Sequence, residues 1–374
     1  MTWDHRYLRR IDFRTIPIVL LLMLISLFVI SATTHQSETD PFLTPAVITQ
    51  IRWFAIGWAV YLFFAALDYN KFKNWTWPLY VGMLFLLFGL YFTTPIQNVQ
   101  RWYRIAGIGS FQPSELAKLI VVMAISWFLD HKSSSMHSKR SAFQALIILL
   151  IPFFLILKQP DLGTALVLYP IALVMFYFGG INQRVIRWMT IGAIGALTFV
   201  SLMFLNILSH EEMRPYVTTV LKEYQYERLN PNTYHQKASQ TAIALGGITG
   251  SGWRKSDFTG KQWLPASSTD SVFAAYAEEF GLIGVFFLLL LFFGLIYFSF
   301  QVTAIAKDRF GRLLSAGIAV YLSMHVIVNI GMMTGFLPIT GVPLLLVTYG
   351  GSSILSTMMA LGVLQSIYSR RFMF

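Results

Sequence analysis

Long apolar runs recur along the whole chain and are separated by short polar turns. A membrane-spanning helix needs about 18 or more such residues in succession. We predict ten spans, at 15–32, 50–67, 75–93, 114–130, 141–158, 162–180, 186–209, 281–303, 311–333 and 352–369. Polar residues do not alternate with apolar ones at every second position, which favours helices over a β-barrel. The pattern predicts an all-α polytopic membrane protein with about ten transmembrane helices.

The few charges of the chain indicate its orientation. Of the 374 residues, 56% are hydrophobic and 12% are charged, whereas a soluble domain usually carries about 25% charged residues. Lys and Arg are concentrated at both chain ends and in alternate loops, at 68–74, 131–140, 181–187 and 304–312. The positive-inside bias places these loops and both termini in the cytoplasm. The net charge of +11 therefore reflects membrane topology, and we expect no nucleic-acid partner.

One segment, at about 210–270, is too long to be a plain connector and faces outward by the same topology. No repeat of fixed period interrupts the chain, so we predict a single membrane domain over residues 1–374 with one large extracytoplasmic loop. The chain has no cysteine, which excludes disulfides, thiolate catalysis and cysteine-ligated metals.

Several ionisable residues lie within or beside predicted spans, where such residues are usually paired and functional; Glu115, Lys118 and Asp161 are the candidates for a site. Glu115 and Lys118 are three positions apart at the start of the fourth span, so they share a helix face and can pair. That pair is either part of a site or a structural ion pair. Asp161 precedes the sixth span, and it is either a site residue or the cap of that helix.

A second group of polar residues lies on the predicted outer side. Arg101 and Arg104 violate the positive-inside bias, which an anionic ligand or contact with lipid headgroups would explain, since guanidinium groups bind phosphate oxygens in pairs. Arg228 and Gln240, in the outer loop, can bond phosphate or sugar hydroxyls. Asp270 stands just before the eighth span, where an unpaired carboxylate would cost several kcal/mol away from water.

Other polar features near the eighth span have less specific interpretations. Glu278 and Glu279 are interpreted as capping or bracing the adjoining helix. The glycines of LGGITGSGW allow close backbone approach to a ligand, although they fit neither a Walker nor a Rossmann fingerprint. His235 and His325 show no metal-ligand spacing and are interpreted as ordinary polar residues.

Several of these motifs, taken together, resemble the SEDS family of bacterial membrane proteins for cell shape, elongation, division and sporulation. They occur in the family's order, as RWYRIAGIGSFQPSELAKL, KQPDLGTAL, SQTAIALGGITGSGW, WLPASSTDSVFAAYAEEFGLIG and NIGMMTGFLPITGVPLLLVTYGGSS. Within the family, the short N-terminus and the last motif look most like the elongation member, and the division member is next closest. The resemblance implies a ten-span peptidoglycan glycosyltransferase of the bacterial inner membrane. Such an enzyme polymerises the undecaprenyl-diphosphate-linked disaccharide lipid II into glycan strands on the outer face.

The resemblance also implies roles for individual residues. The family's catalytic aspartate matches Asp270, which would act as the general base. Its functional Glu and Lys match Glu115 and Lys118, and its QPD aspartate matches Asp161. Its QRW arginine matches Arg101, and the segment EYQYERL matches a family region whose arginine is Arg228. Because a lipid diphosphate leaving group needs cations rather than a strong acid, the candidates for holding it are Arg101, Arg104, Lys118 and Arg228. Ser268 departs from the family pattern, because relatives often carry histidine at that position.

Two other functions remain open at the level of sequence. In a lipid II flippase, Glu115, Lys118 and Asp161 would form a relay or gate, and in a scaffold the chain would only activate a cell-wall synthase. The family implies a class B penicillin-binding protein as transpeptidase partner, together with the elongation machinery and membrane lipids. No cofactor is certain, but a divalent cation, Mg²⁺ or Mn²⁺, could help to hold the diphosphate.

Overall fold

A computed structural model describes residues 10–35, 40–93, 100–105, 109–133, 138–159, 161–205, 207–219 and 223–372. Its α-helices within these ranges are α1 Thr15–Thr34, α2 Pro45–Ala66, α3 Phe72–Gly89, α4 Pro113–His131, α5 Lys139–Lys158, α6 Leu162–Gly179, α7 Gln183–Phe204, α8 His210–Val217, α9 Glu223–Glu227, α10 Tyr234–Gly246, α11 Asp257–Gly260, α12 Val272–Ile305, α13 Arg309–Thr334 and α14 Gly351–Ser369. Strands β1 Tyr103–Ile105 and β2 Gly109–Phe111 form an antiparallel pair.

The prediction of an all-α polytopic membrane protein is confirmed. Long helices occupy all ten predicted spans, as α1 to α7 and α12 to α14. Within the described ranges, eight of them are long and apolar enough to cross a membrane, and α4 and α14 are the two that fall short. Most side chains of α4 and α14 are buried against other helices. Because protein rather than lipid surrounds them, these two helices can carry more polar residues.

The loops with excess positive charge lie together at one end of the bundle. The amide of Asp12 donates to Oε1 of Gln365 at 2.7 Å, which joins the two ends of the chain. Nζ of Lys73 lies 3.3 Å from Asp130 and 3.4 Å from Asp308, and so links the predicted cytoplasmic loops at 68–74 and 304–312 to the end of α4. The grouping agrees with the alternating topology. That this end faces the cytoplasm stays a prediction.

At the opposite end, the segment at 210–270 folds into the short helices α8 to α11, and α10 packs on α12 and α13. The helix α12 is broken at Gly281, whose φ of +62° suits glycine. A Cβ on Gly281 would lie 2.3 Å from the amide nitrogen of Gly250, and the amide of Leu282 donates to the carbonyl of Gly247 at 2.9 Å. The close approach that the LGGITGSGW glycines permit is therefore to the backbone of α12.

Candidate active site

Asp270 lies on a turn two residues before α12. Asn329, on α13, donates from Nδ2 to the Asp270 carbonyl at 3.1 Å. Thr348 donates from Oγ1 to the Thr269 carbonyl at 3.2 Å. Thr348 belongs to residues 335–350, here called the α13–α14 loop. Backbone contacts thus fix the turn from two sides and determine where the Asp270 carboxylate stands.

A cleft of about 370 Å³ opens beside this carboxylate. Its walls come from the segment before β1, from the region of α9 and α10, and from the α13–α14 loop. The lining residues are Arg101, Glu227, Arg228, Thr233, His235, Asp270, Ile339, Thr340 and Gly341. The fold therefore brings three predicted site residues that are far apart in sequence to one cleft: Arg101, Arg228 and Asp270.

Main-chain carbonyls hold both arginines of the cleft in place. Nε of Arg101 donates to the carbonyl of Gln159 at 3.1 Å, at the end of α5. Nη1 of Arg228 donates to the carbonyl of Thr340 at 3.2 Å, in the α13–α14 loop. A guanidinium has five donors in a fixed planar fork, so a bond from one of them restricts the position of the whole group. The cleft therefore presents two positioned cations beside one carboxylate.

Burial raises the pKa of the Asp270 carboxyl above its ordinary value, and His235, Arg101 and Arg228 oppose the rise. Burial also lowers the pKa of the His235 imidazole, against the opposing effect of the Asp270 charge. Nε2 of His235 lies 2.7 Å from Oγ of Ser271, next to Asp270. An upward shift brings a carboxylate closer to the range in which it works well as a general base near neutral pH.

Several lining residues were missed by sequence reasoning. His235 stands at the start of α10, where the Thr233 side chain caps the helix, and it was interpreted as an ordinary polar residue. No local signal relates it to Asp270, because the two are distant in sequence and meet only through the packing of α10. Gly341 has φ +80°, and a Cβ there would lie 3.4 Å from Oδ2 of Asp270. It brings the α13–α14 loop against the carboxylate.

Glu115 and Lys118 form the predicted pair, but they lie inside the bundle and do not line the cleft. Nζ of Lys118 lies 2.8 Å from Oε1 of Glu115, and both residues are at most 3% exposed. The same Nζ lies 2.8 Å from Nε2 of His325 and 5.5 Å from the centroid of the Tyr321 ring. His325, on α13, is fully buried and was also interpreted as an ordinary polar residue. The structure makes it a direct neighbour of the ion pair.

Asp161 caps α6, as one of its two interpretations predicts. Its Oδ1 accepts from the amide of Thr164 at 3.2 Å. Its Oδ2 accepts from Oγ of Ser114 at 2.8 Å and from Nε2 of Gln112 at 3.0 Å, which ties the start of α6 to the start of α4. Its charge also raises the pKa of Asp270, as the weakest of the contributions to that shift. Asp161 therefore does not line the cleft, and its effect on the cleft is the effect of its charge on Asp270.

Two other predicted site residues lie outside the lining of the cleft. Arg104 is exposed on β1, opposite Ser110. Gln240 is exposed on α10, and its Nε2 donates to the carbonyl of Thr334 at 3.4 Å, at the end of α13. A substrate role for either residue stays a prediction, because only a molecule extending beyond the cleft would reach them.

Glu278 and Glu279 brace the segment around α11, as interpreted from the sequence. The Glu278 carboxylate accepts from the amide of Thr259 at 3.0 Å. The Glu279 carboxylate accepts from the amide of Arg254 at 2.6 Å and from Oγ of Ser256 at 2.7 Å. Both glutamates are 1% exposed. Of the three carboxylates in this stretch, Asp270 is the one that lines the cleft.

Comparison with known proteins gives matches along nearly the whole chain. The family model of FtsW, RodA and SpoVE, described as cell cycle protein, matches residues 13–371. The peptidoglycan glycosyltransferase MrdB of Escherichia coli strain K12 is 32% identical over 355 residues, which cover 94% of this chain and 93% of MrdB. The peptidoglycan glycosyltransferase RodA of Treponema pallidum is 31% identical and covers 87% of this chain and 90% of its own. A probable peptidoglycan glycosyltransferase FtsW of Geobacter metallireducens is 32% identical, covering 84% and 82%.

Solved structures share the fold. The rod shape determining protein RodA of Thermus thermophilus superposes with a TM-score of 0.69 at 25% identity, over 97% of this chain and 98% of that one. A chain from a study of polymerization and crosslinking by a peptidoglycan synthase complex gives a TM-score of 0.74 at 24% identity, over 97% and 99%. The second likeness concerns the fold alone.

Proposed function

The chain belongs to the FtsW, RodA and SpoVE family, which confirms the SEDS resemblance, and from this premise we propose that it polymerises lipid II into glycan strands. The reaction is that of a peptidoglycan glycosyltransferase, the name that its curated relatives carry. The observation that supports it most is the cleft, where Asp270 stands on an anchored turn beside Arg101 and Arg228. The role in elongation is inferred from the motifs that look most like the elongation member.

The proposed reaction transfers a glycan from its lipid diphosphate to a sugar hydroxyl. Asp270 takes the proton from the acceptor hydroxyl as its oxygen attacks the anomeric carbon. The bond between that carbon and the diphosphate oxygen breaks, and the electron pair leaves with the lipid diphosphate. One base and no covalent intermediate predict inversion of configuration at the anomeric carbon.

The leaving group needs positive charge rather than a proton, because a diphosphate is already a weak base. Arg101 and Arg228 would supply this charge in a partly enclosed site, where such stabilisation is strong. The sequence also predicts Lys118 as a phosphate ligand. We do not include it among the groups that bind the diphosphate directly, because it is buried and hydrogen-bonded to Glu115 and His325.

We further propose that a divalent cation is held in the same cleft. Mg²⁺ is commonly held by one or two carboxylates together with substrate phosphates, and Glu227 lines the wall next to Arg228. Glu227 would hold the ion with the diphosphate oxygens, and the ion would neutralise charge on the leaving group. The part of the chain described by the structure has no group of three His, Asp or Glu residues suited to a metal.

The protein is a multi-pass membrane protein, and we propose that it lies in the bacterial inner membrane with both termini cytoplasmic and the cleft outward. A class B penicillin-binding protein is the proposed partner, supplying the transpeptidase step. The orientation is testable because the chain has no native cysteine. In Ser267→Cys, three residues before Asp270, the cysteine should be labelled by a membrane-impermeant maleimide in intact spheroplasts. Labelling only after the cytoplasmic face is opened would contradict the orientation and the outward active site together.

The arrangement of the buried charges supports the enzyme over a flippase. A transporter needs its essential charges along a path across the bilayer. Glu115, Lys118 and Asp161 are each at most 3% exposed and are hydrogen-bonded to protein groups. A scaffold, in turn, would not need a carboxylate with a raised pKa at the cleft.

Polymerisation of purified lipid II by the purified chain with its transpeptidase partner tests the proposal. The partner should carry an inactivated transpeptidase site, so that uncrosslinked strands are resolved by length. Wild type should make glycan strands, and Asp270→Ala should make none. Strands made equally well by Asp270→Ala would assign the activity to another protein in the preparation. Movement of lipid II between leaflets without polymerisation would favour the flippase.

A further inference from the structure

The hydrogen bonds around Lys118 assign one tautomer to His325. An ammonium group has three donors and no acceptor, so Nε2 of His325 must accept in the 2.8 Å contact with Lys118. The ring proton then resides on Nδ1, which faces the carbonyl of Pro343 at 3.1 Å and donates to it. Neutral His325 therefore joins the buried ion pair to the α13–α14 loop.

Side chains from other segments support the α13–α14 loop, because its backbone does not take part in the regular hydrogen bonding of a helix or a sheet. Residues 336–350 contain no described helix or strand, yet the side chains at 344–348 are all buried. Asn329 stands four residues after His325, so the two share one face of α13. Nδ2 of Asn329 donates to the carbonyl of Val342 at 2.8 Å, and His325 donates to the next carbonyl, that of Pro343. Two side chains one helical turn apart on α13 thus donate to two consecutive carbonyls of the loop.

The same part of the α13–α14 loop contacts the turn that carries Asp270. Asn329 also donates to the carbonyl of Asp270, at 3.1 Å, so one amide bonds both the loop and the turn. Gly341 lies against the Asp270 carboxylate, and Thr348 bonds the carbonyl of Thr269. A displacement of the loop at Pro343 would therefore move groups that set the position of Asp270.

We infer that His325 is a positioning residue, which connects the Glu115–Lys118 pair to the loop that fixes Asp270. This rests on the proposed function of the Asp270 cleft. The contacts run in sequence from the sealed ion pair to the loop: Glu115 orients Lys118, Lys118 selects the tautomer of His325, and His325 holds the Pro343 carbonyl. Oε2 of Glu115 is buried without a hydrogen-bond partner in the described structure, so this carboxylate is held through Oε1, which accepts from Lys118.

Two substitutions separate positioning from other roles. His325→Gln retains one acceptor and two donors on an amide that can reach both Lys118 and Pro343. His325→Leu removes both contacts at similar volume. In lipid II polymerisation by the full chain with its partner, His325→Leu should lower kcat per folded molecule by about tenfold or more with KM within about twofold, since small misplacements of catalytic groups reduce rates strongly. His325→Gln should restore kcat to within about threefold.

The controls address folding and substrate contact. Ser315→Ala removes a different buried polar group from α13, a hydroxyl that donates to a carbonyl of its own helix at 2.7 Å, and it should leave kcat unchanged. If His325→Leu does not fold, His325→Asn is measured in its place. The asparagine side chain is one methylene shorter than that of glutamine, so its amide reaches only one of Lys118 and Pro343. Unchanged kcat per folded molecule in the variant that is measured would overturn the inference. So would a rise in KM alone, because that would indicate contact with substrate.

Hydrogen–deuterium exchange gives a readout that does not depend on activity. His325→Leu, or His325→Asn in its place, should raise exchange in peptides covering 265–271 and 341–349, and His325→Gln should not. Exchange unchanged in both segments would overturn the inference even if wild type failed to polymerise lipid II. Failure of wild type together with raised exchange would instead reject the proposed function and retain the link between His325 and the loop.

Discussion

The Asp270 cleft and the cluster of Glu115, Lys118 and His325 hold charges in opposite ways. In the cleft, two arginines and a carboxylate line an open volume, and each arginine donates to a main-chain carbonyl. In the cluster, the charged groups contact each other inside the bundle, where none is more than 3% exposed. Only the cleft has room for a substrate.

The difference bears on how polar residues at a membrane should be interpreted. A buried ion pair is costly to break once formed, although it can be worth little compared with apolar residues of the same shape. A half-buried carboxylate on an anchored turn keeps its reactivity, because its own side chain is not needed to hold the fold. The cleft is therefore expected to act on the rate directly, and the cluster to act through the geometry that it maintains.

The largest expected effect is the loss of the base. Asp270→Asn retains the size of the side chain and should lower the polymerisation rate by about 10²–10⁴-fold, the usual contribution of a general base. The free energy of unfolding should change by less than about 0.5 kcal/mol, as for most changes away from the core. Lipid II binding and association with the partner should remain near wild type.

Asp257→Asn is the matched control for this change, because Asp257 lies in the same outer segment and is 87% exposed at its side chain. It should have no effect on rate. A wild-type rate in Asp270→Asn would reject Asp270 as the base and favour the transporter or scaffold.

The next effect concerns the buried pair. Glu115→Gln or Lys118→Met alone should lower the free energy of unfolding by about 3–5 kcal/mol, because each leaves a buried charge without its partner. The double variant should lose less than the sum of the two single losses. Chemical denaturation of the purified protein in detergent measures all three values.

An exposed pair with similar helical spacing provides the comparison. Lys261 and Asp257 are 3.4 Å apart at four-residue spacing on the surface, and breaking that pair should change the free energy of unfolding by less than about 1 kcal/mol. Additive losses at Glu115 and Lys118 would show that the two charges do not stabilise each other.

A smaller loss of stability is expected at Glu279. Its carboxylate accepts from the Arg254 amide and from Ser256, and a glutamine has one acceptor oxygen in place of two. Glu279→Gln should therefore lower the free energy of unfolding by about 1–3 kcal/mol, while the rate per folded molecule stays close to wild type. Glu212→Gln, on the exposed surface of α8, is the control for loss of a charge. A rate loss per folded molecule as large as that of Asp270→Asn would make Glu279 a second active-site carboxylate.

The sequence predicts most of what is local in this molecule. Apolar runs locate the ten long helices, since a span is defined by its own composition. The spacing of Glu115 and Lys118 predicts their pairing, and the position of Asp161 before a span predicts its cap. The pair and the cap each depend on residues within one helical turn of each other, and each span depends on one uninterrupted run of the chain.

The parts that could not be predicted depend on packing between distant segments. His325 meets Lys118 across 207 positions, and His235 meets Ser271 across 36. Neither histidine stands in a pattern that identifies its neighbour, so both were interpreted as ordinary polar residues. The antiparallel pair of β1 and β2 was missed as well, because strands of three residues show too little alternation to stand out.

The smallest effect is expected in the dependence of rate on pH. Asp270 must be deprotonated to act as base, so kcat/KM should rise with pH through the pKa of Asp270 and then level off. Arg228 opposes the upward shift of the Asp270 pKa. In Arg228→Gln that opposition is lost, the pKa of Asp270 rises further, and the midpoint of the acidic limb should move to higher pH. Arg104→Gln is the matched control, because Arg104 is exposed on β1 and does not appear among the groups that shift the Asp270 pKa. Its midpoint should stay at the wild-type value even if its rate falls. An unmoved midpoint in Arg228→Gln would mean that this arginine binds substrate without acting on the base, and a move to lower pH would contradict the assignment of the acidic limb to Asp270.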